Sequence, residues 1–146
     1  MMKPRTRGRS IALQALYEID QSNHSIDVIL EDRLAEVEPV DEQIRRFIFE
    51  LANGVLKLKD ELDQELARYA PEWPVDQVAI IDRNILRIAL WEMLFTEDTP
   101  IKVIINEAIE LGKLYGSDST SRFVNGVLGS LVENKNSIRQ RFHITE

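Results

Sequence analysis

The sequence predicts an all-α protein, and three observations carry that prediction. Apolar residues recur at steps of three and four along most of the chain. No stretch of alternating apolar and polar residues is bounded by hairpin turns. Proline, glycine and helix-capping residues separate the periodic blocks, ending one helix and opening the next.

The first helix runs from about Arg5 to Asp20, with Ala12, Ala15, Leu16 and Ile19 as its core stripe. Ser25 is placed to cap the second, because a serine hydroxyl accepts from an otherwise unsatisfied helix-end N–H. That helix uses Ile29, Leu30, Leu34 and Val37, and Pro39 stops it. A long helical stretch opens near Asp41. Its Ile44, Ile48, Leu51, Val55, Leu58, Leu62 and Leu66 are separated by steps of three or four, so one face is apolar over several turns. Asn53-Gly54 is where a kink or split is expected, and the stretch ends by Ala70-Pro71.

PEWP, from Pro71 to Pro74, is the clearest connector. The helix after it carries Ile85, Leu86, Ala89 and Met93 on one side, widened by Ile88, Leu90 and Leu94. A helix apolar over most of its circumference belongs at the centre of a core. Thr99-Pro100 opens the next, with Thr as cap and Pro in the first turn, and Gly116 closes it. Asp118 or Ser119 caps the last helix, whose Val124, Val127, Leu128 and Leu131 face inward. Gly126 and Gly129 are expected to permit close approach of another helix.

The chain of 146 residues is expected to form one domain, 1–146, with a basic segment at 1–10 and a polar C-terminal tail at 134–146. It has no cysteine, which excludes disulfides, thiolate metal sites and cysteine nucleophiles and fits a reducing cytoplasm. The N-terminal MMKPRTRGRS has no apolar stretch after it of the kind a signal peptide needs. No apolar run approaches the ~18 residues of a membrane span.

The net charge of −7 argues against nucleic acid until its distribution is considered. Residues 1–10 hold Lys3, Arg5, Arg7 and Arg9 and no acid, a balance of +4, which leaves −11 for the rest of the chain. A basic end on an acidic body suits two partners: phosphate at the end, a basic protein on the body.

Arginine suits RNA because its planar fork pairs with phosphate and stacks on bases. On a helix, Arg5 and Arg9 share a side and Arg7 points away; in an extended tail all three share one. The alternative is a solvated terminus. Arg122-Phe123 opens the last helix, with Phe123 about a quarter-turn off the core stripe. An aromatic beside an arginine is a stacking platform with a phosphate contact, and Ser117, Ser119 and Thr120 add hydroxyl donors. The alternative is a core Phe at a helix start. Tyr69, just before Pro71, is a weaker platform of the same kind.

Tyr17, Asp82, Arg83 and Glu92 are candidates for protein contact. Tyr17 falls off the first core stripe. Asp82 lies on the apolar side of its helix, where a carboxylate is costly unless it caps a helix or meets a partner. Both readings stay open. Trp73 and Trp91 are either a dimer surface or core. Asn106, Glu107 and Glu110 form a solvated helix face, not an acid–base set. His24 and His143 supply no metal pair, and no nucleophile–base–orienter pattern is present. The chain is read as a binding module, not an enzyme.

The strings RGRSIALQALYEID, LRIALWE, INEAIELGKLYG and RFVNGVLGSL, in this order and spacing, resemble the NusB family of bacterial transcription antitermination factors. The resemblance covers nearly the whole chain. It implies a compact bundle of about seven helices that binds boxA-type single-stranded ribosomal RNA together with ribosomal protein NusE, within the transcription elongation complex. No cofactor and no metal are implied. It also implies an arginine-rich N-terminal RNA-binding segment (Arg5, Arg7, Arg9) and an RNA surface that includes the Arg122-Phe123 segment. The NusE-facing surface carries a tyrosine and an acidic residue, matched here by Tyr17 and Asp82. NusB-like domains also occur in ribosomal RNA cytosine methyltransferases, but this sequence has no glycine-rich cofactor loop and no catalytic cysteine. A purely protein-binding helical adaptor is the other alternative.

Overall fold

The computed structural model describes residues 2–70 and 79–144. Among these residues it contains eight α-helices and no strand. They fall into two compact units, residues 1–58 and 59–146.

The first unit holds α1 (Pro4–Ile19), α2 (Ile26–Ala35) and α3 (Glu42–Lys57). Pro4 occupies the first turn of α1, where its fixed φ is already helical and its missing N–H has no intrahelical acceptor to lose. Ser25 caps α2 by accepting from the Val28 N–H at 3.3 Å, and Asp41 caps α3 by accepting from Ile44 at 2.9 Å. The core is Ile11, Ala12, Leu13, Ala15 and Leu16 of α1 against Ile44, Phe47, Ile48, Leu51 and Val55 of α3. Ile26, Ile29 and Leu30 of α2 complete it. Arg33 of α2 reaches back to α1, donating to Gln14 at 2.7 Å and Glu18 at 2.8 Å. Val37, expected within the second helix, lies beyond its end and is exposed.

The second unit holds α4 (Lys59–Tyr69), α5 (Ile80–Phe95), α6 (Ile101–Tyr115), α7 (Thr120–Glu133) and α8 (Lys135–Arg141). Helix α5 packs against each of the other four, as its broad apolar circumference predicts. Ile85, Leu86, Ile88, Ala89, Leu90, Met93 and Leu94 are all buried. Its Arg87 is buried as well, and is satisfied by a two-pronged bond to Asp63 of α4 at 2.7 and 2.6 Å and a third to Asn84 at 3.0 Å. Helices α6 and α7 approach closely at Gly112, where an added Cβ would stand 3.1 Å from the Ser121 hydroxyl.

Several expectations are corrected. The long stretch does divide, but at Leu58 rather than Asn53-Gly54. Pro100 itself is the N-cap of α6, so Thr99 is not the cap and Pro100 is not in the first turn. Gly126 and Gly129 face open space, with no described heavy atom within 4 Å of an added Cβ. The close approach is made at Gly112 instead.

The largest correction is the tail. Residues 135–141 form α8 because Ile138, one heptad after Leu131, keeps the apolar stripe going and is buried. Arg139 beside it is buried too, donating to the Leu94 carbonyl at 3.4 Å. The Pro71–Pro74 connector and Trp73 lie outside the described residues. Trp91 is half-buried, its ring 5.5 Å from that of Phe95.

Candidate functional site

The basic N-terminal segment is helical, and this sorts its arginines as the helical reading predicts. Arg5 and Arg9 lie one turn apart on α1 and both set their guanidinium over the Phe47 ring of α3, at 4.5 and 5.3 Å from its centroid. Arg7 points elsewhere and donates to the Glu38 carbonyl in the loop before α3. Their exposures differ sharply. Arg5 is exposed and Arg7 half-buried, whereas Arg9 is only 2% exposed. Arg9 therefore belongs to the interior of the first unit, and Arg5 and Arg7 are the two a phosphate can reach. The sequence carries a signal for this: Phe47 falls next to Ile48 on the apolar face of α3, within reach of a helix that packs there.

In the second unit, Arg122 is exposed and Phe123 half-buried on the first turn of α7. Phe123 is thus at the rim, neither a free platform nor a core residue. The helix start is organised by Thr120, which is 1% exposed. Its hydroxyl donates to Asp82 at 2.9 Å and accepts from the Ser117 N–H at 2.9 Å. Thr120 is therefore committed inside the unit and is not a phosphate donor, while Ser117 and Ser119 remain exposed.

The same bond gives Asp82 a role inside the unit. It is not an N-cap, since Ala79 holds that position and makes no side-chain bond. Asp82 sits in the first turn of α5, where a carboxylate complements the helix dipole, and its Oδ1 ties α5 to the start of α7. It remains half-buried, as does Arg83. Glu92 is 1% exposed, so the expectation that it lies on a partner surface is corrected: α5 is apolar over so much of its circumference that this carboxylate is enclosed. Tyr17, in the first unit, is exposed at 38%.

Tyr69 closes α4 and is half-buried. Its phenol oxygen accepts from Arg141 of α8 at 2.7 Å. Arg141 also grips the Glu65 carboxylate with Nε and Nη2, at distances from 2.5 to 3.0 Å, and Glu65 is 3% exposed. The bonds to Glu65, and then to Tyr69, hold the guanidinium above its ordinary pKa. Arg141 escaped the sequence reading because it lay in what read as tail.

Residues 6–133 match the model of the NusB family. The transcription antitermination protein NusB of Dehalococcoides mccartyi is 47% identical over 131 residues, covering 90% of this chain and 91% of that protein. The protein of the same description from Chloroflexus aggregans is 48% identical over 130 residues, covering 88% and 86%. Among solved structures, T. maritima NusB superposes with a TM-score of 0.79 at 32% identity, covering 96% of this chain and 93% of that one. The structure of antitermination factors NusB and NusE in complex with dsRNA gives a TM-score of 0.77 at 20% identity, covering 97% and 99%, and so speaks to the fold alone.

Proposed function

The chain belongs to the NusB family, and from that premise we propose that it is an RNA-binding transcription antitermination factor. In this reading it holds boxA-type single-stranded ribosomal RNA together with ribosomal protein NusE, as part of the elongation complex. The observation that carries the reading is near 47% identity, over nine-tenths of the chain, to proteins described as transcription antitermination factors. A protein of this fold occurs in one crystal with NusE and dsRNA, so the fold accommodates a protein and an RNA together, while the single-stranded character of the RNA rests on the family reading.

RNA is assigned to Arg5 and Arg7 of the first unit and to Arg122, Phe123 and Tyr69 of the second; Arg9, buried against the same Phe47 ring as Arg5, is left to the interior. Tyr17 and Asp82, with Arg83 beside it, are assigned to the protein partner. The work is scaffolding, for which no catalytic step is required. The family match runs across the boundary at residue 58, which supports reading both units as one family domain. No helix among the described residues is long and apolar enough to cross a membrane, and the cytoplasm, where transcription occurs, is the proposed location.

The deciding experiment titrates the protein into labelled boxA RNA, with and without NusE. Binding that tightens when NusE is present is expected. Equal affinity for a scrambled RNA, with or without NusE, would remove the reading.

A further inference from the structure

We propose that Arg141, on the C-terminal helix α8, is a positioning residue for RNA binding: anchored on Glu65, it holds Tyr69 in the orientation that meets RNA. The inference rests on the assignment of Tyr69 to RNA and adds to it a helix with no assigned role.

Glu65 and Tyr69 are four residues apart on α4 and so share one face of the helix. Arg141 reaches both from 72 residues beyond Tyr69 in sequence. Its guanidinium carbon lies 5.8 Å from the Tyr69 ring centroid, and its Nη2 donates to the phenol oxygen at 2.7 Å. A surface arginine on a surface tyrosine would be a mobile pair. This one is fixed, because the buried Glu65 carboxylate takes Nε and Nη2 in a fork-to-fork bond at 2.5, 2.7 and 3.0 Å.

The consequence for Tyr69 follows from the direction of the bond. Its oxygen accepts from a cation, so its own proton is turned away from the guanidinium and is left to donate to an RNA oxygen. Accepting from a charged donor also strengthens the hydroxyl as a donor. A ring already held in place loses less freedom on binding. Arg141 is itself a poor phosphate ligand here, because Glu65 occupies the Nε and Nη2 fork that would take a phosphate.

The test uses the full-length protein and a labelled boxA RNA oligonucleotide across a salt series. Tyr69→Ala is expected to weaken RNA binding about fivefold or more. Arg141→Ala should weaken it by a similar factor with the slope of log affinity against log salt unchanged. Added to Tyr69→Ala, Arg141→Ala should cost no more than a further twofold.

Effects that multiply, with a slope shallower by about 0.7, would mean that Arg141 touches phosphate directly and would overturn the proposal. Parent-like affinity of folded Arg141→Ala would overturn it as well. Because Arg141→Ala leaves the buried Glu65 carboxylate with only the longer Arg68 contact at 3.5 Å, Tyr69→Phe is the companion variant, leaving the Arg141–Glu65 pair intact. It should lose about threefold or more with the bond to the phenol oxygen, and parent-like affinity would again count against the proposal. If Tyr69→Ala binds as the parent does, the Tyr69 assignment falls together with this inference. If only Arg141 proves silent, the assignment stands and the inference alone is lost.

Discussion

Arg9 keeps its guanidinium against Phe47 inside the first unit, while Arg5, one turn earlier, covers the same ring from the solvent side. A desolvated cation–π contact contributes about 2 kcal/mol and an exposed one about 0.5–1. Arg9→Ala should therefore lower stability by at least about 2 kcal/mol in denaturant unfolding. Arg5→Ala should leave stability nearly unchanged and weaken RNA binding. Equal stability losses in the two variants would contradict the burial difference.

Phe123 is half-buried, so its removal should appear in both measurements. Phe123→Ala should cost RNA affinity about 1–3 kcal/mol if a base stacks there. Its folding cost should stay below the ~3–5 kcal/mol of a fully buried phenylalanine. A folding loss in that full range with intact RNA affinity would make it a core residue only.

At the scale of elements, the corner between α6 and α7 is set by contact. A Cβ on Gly116 would stand 2.5 Å from the Thr120 hydroxyl and 2.6 Å from its Cβ. Thr120 cannot yield, because its hydroxyl holds the Ser117 N–H and the Asp82 carboxylate. Gly116→Ala should destabilise the protein by about 1–3 kcal/mol, the usual cost of overpacking. Gly126 offers the contrast: it is helical, exposed and meets nothing. Gly126→Ala should stabilise by about 0.5–1 kcal/mol, since alanine loses less freedom in a helix. Thermal unfolding of both variants checks the pair, and a shift of the same sign in each would refute this account.

At the scale of the whole molecule, charge is the organising quantity. The first ten residues carry +4 and the remaining chain −11. With Arg5, Arg7 and Arg122 as the phosphate contacts, log RNA affinity should fall against log salt with a slope near about −2, at roughly 0.7 per contact. Replacing all three with Ala should flatten it, and an unchanged slope would exclude them. The acidic remainder should speed encounter with a basic protein partner, an effect that salt weakens. Tyr17→Ala should lower affinity for NusE while RNA binding by the isolated protein holds. Equal losses for both ligands would end the separation of the two surfaces.

The sequence by itself determined the fold class, the family and most helix boundaries, because these depend on local periodicity, capping and punctuation. Ser25 and Asp41 cap where their side-chain chemistry says they should, and α5 is central because its apolar residues go nearly all the way round. Exposure and partnership were decided only by tertiary structure. Nothing local distinguishes Arg9 from Arg5; the burial of Arg9 depends on which helix packs over it. Asp82 reads locally as a helix cap, and only packing shows that its carboxylate instead takes the hydroxyl of Thr120, 38 residues away. Arg141 lay in an apparent tail until packing of Ile138 made that tail a helix and carried the guanidinium to Glu65 and Tyr69. A helix's own period fixes which residues share a face, and only the packing of other helices against it decides what that face meets.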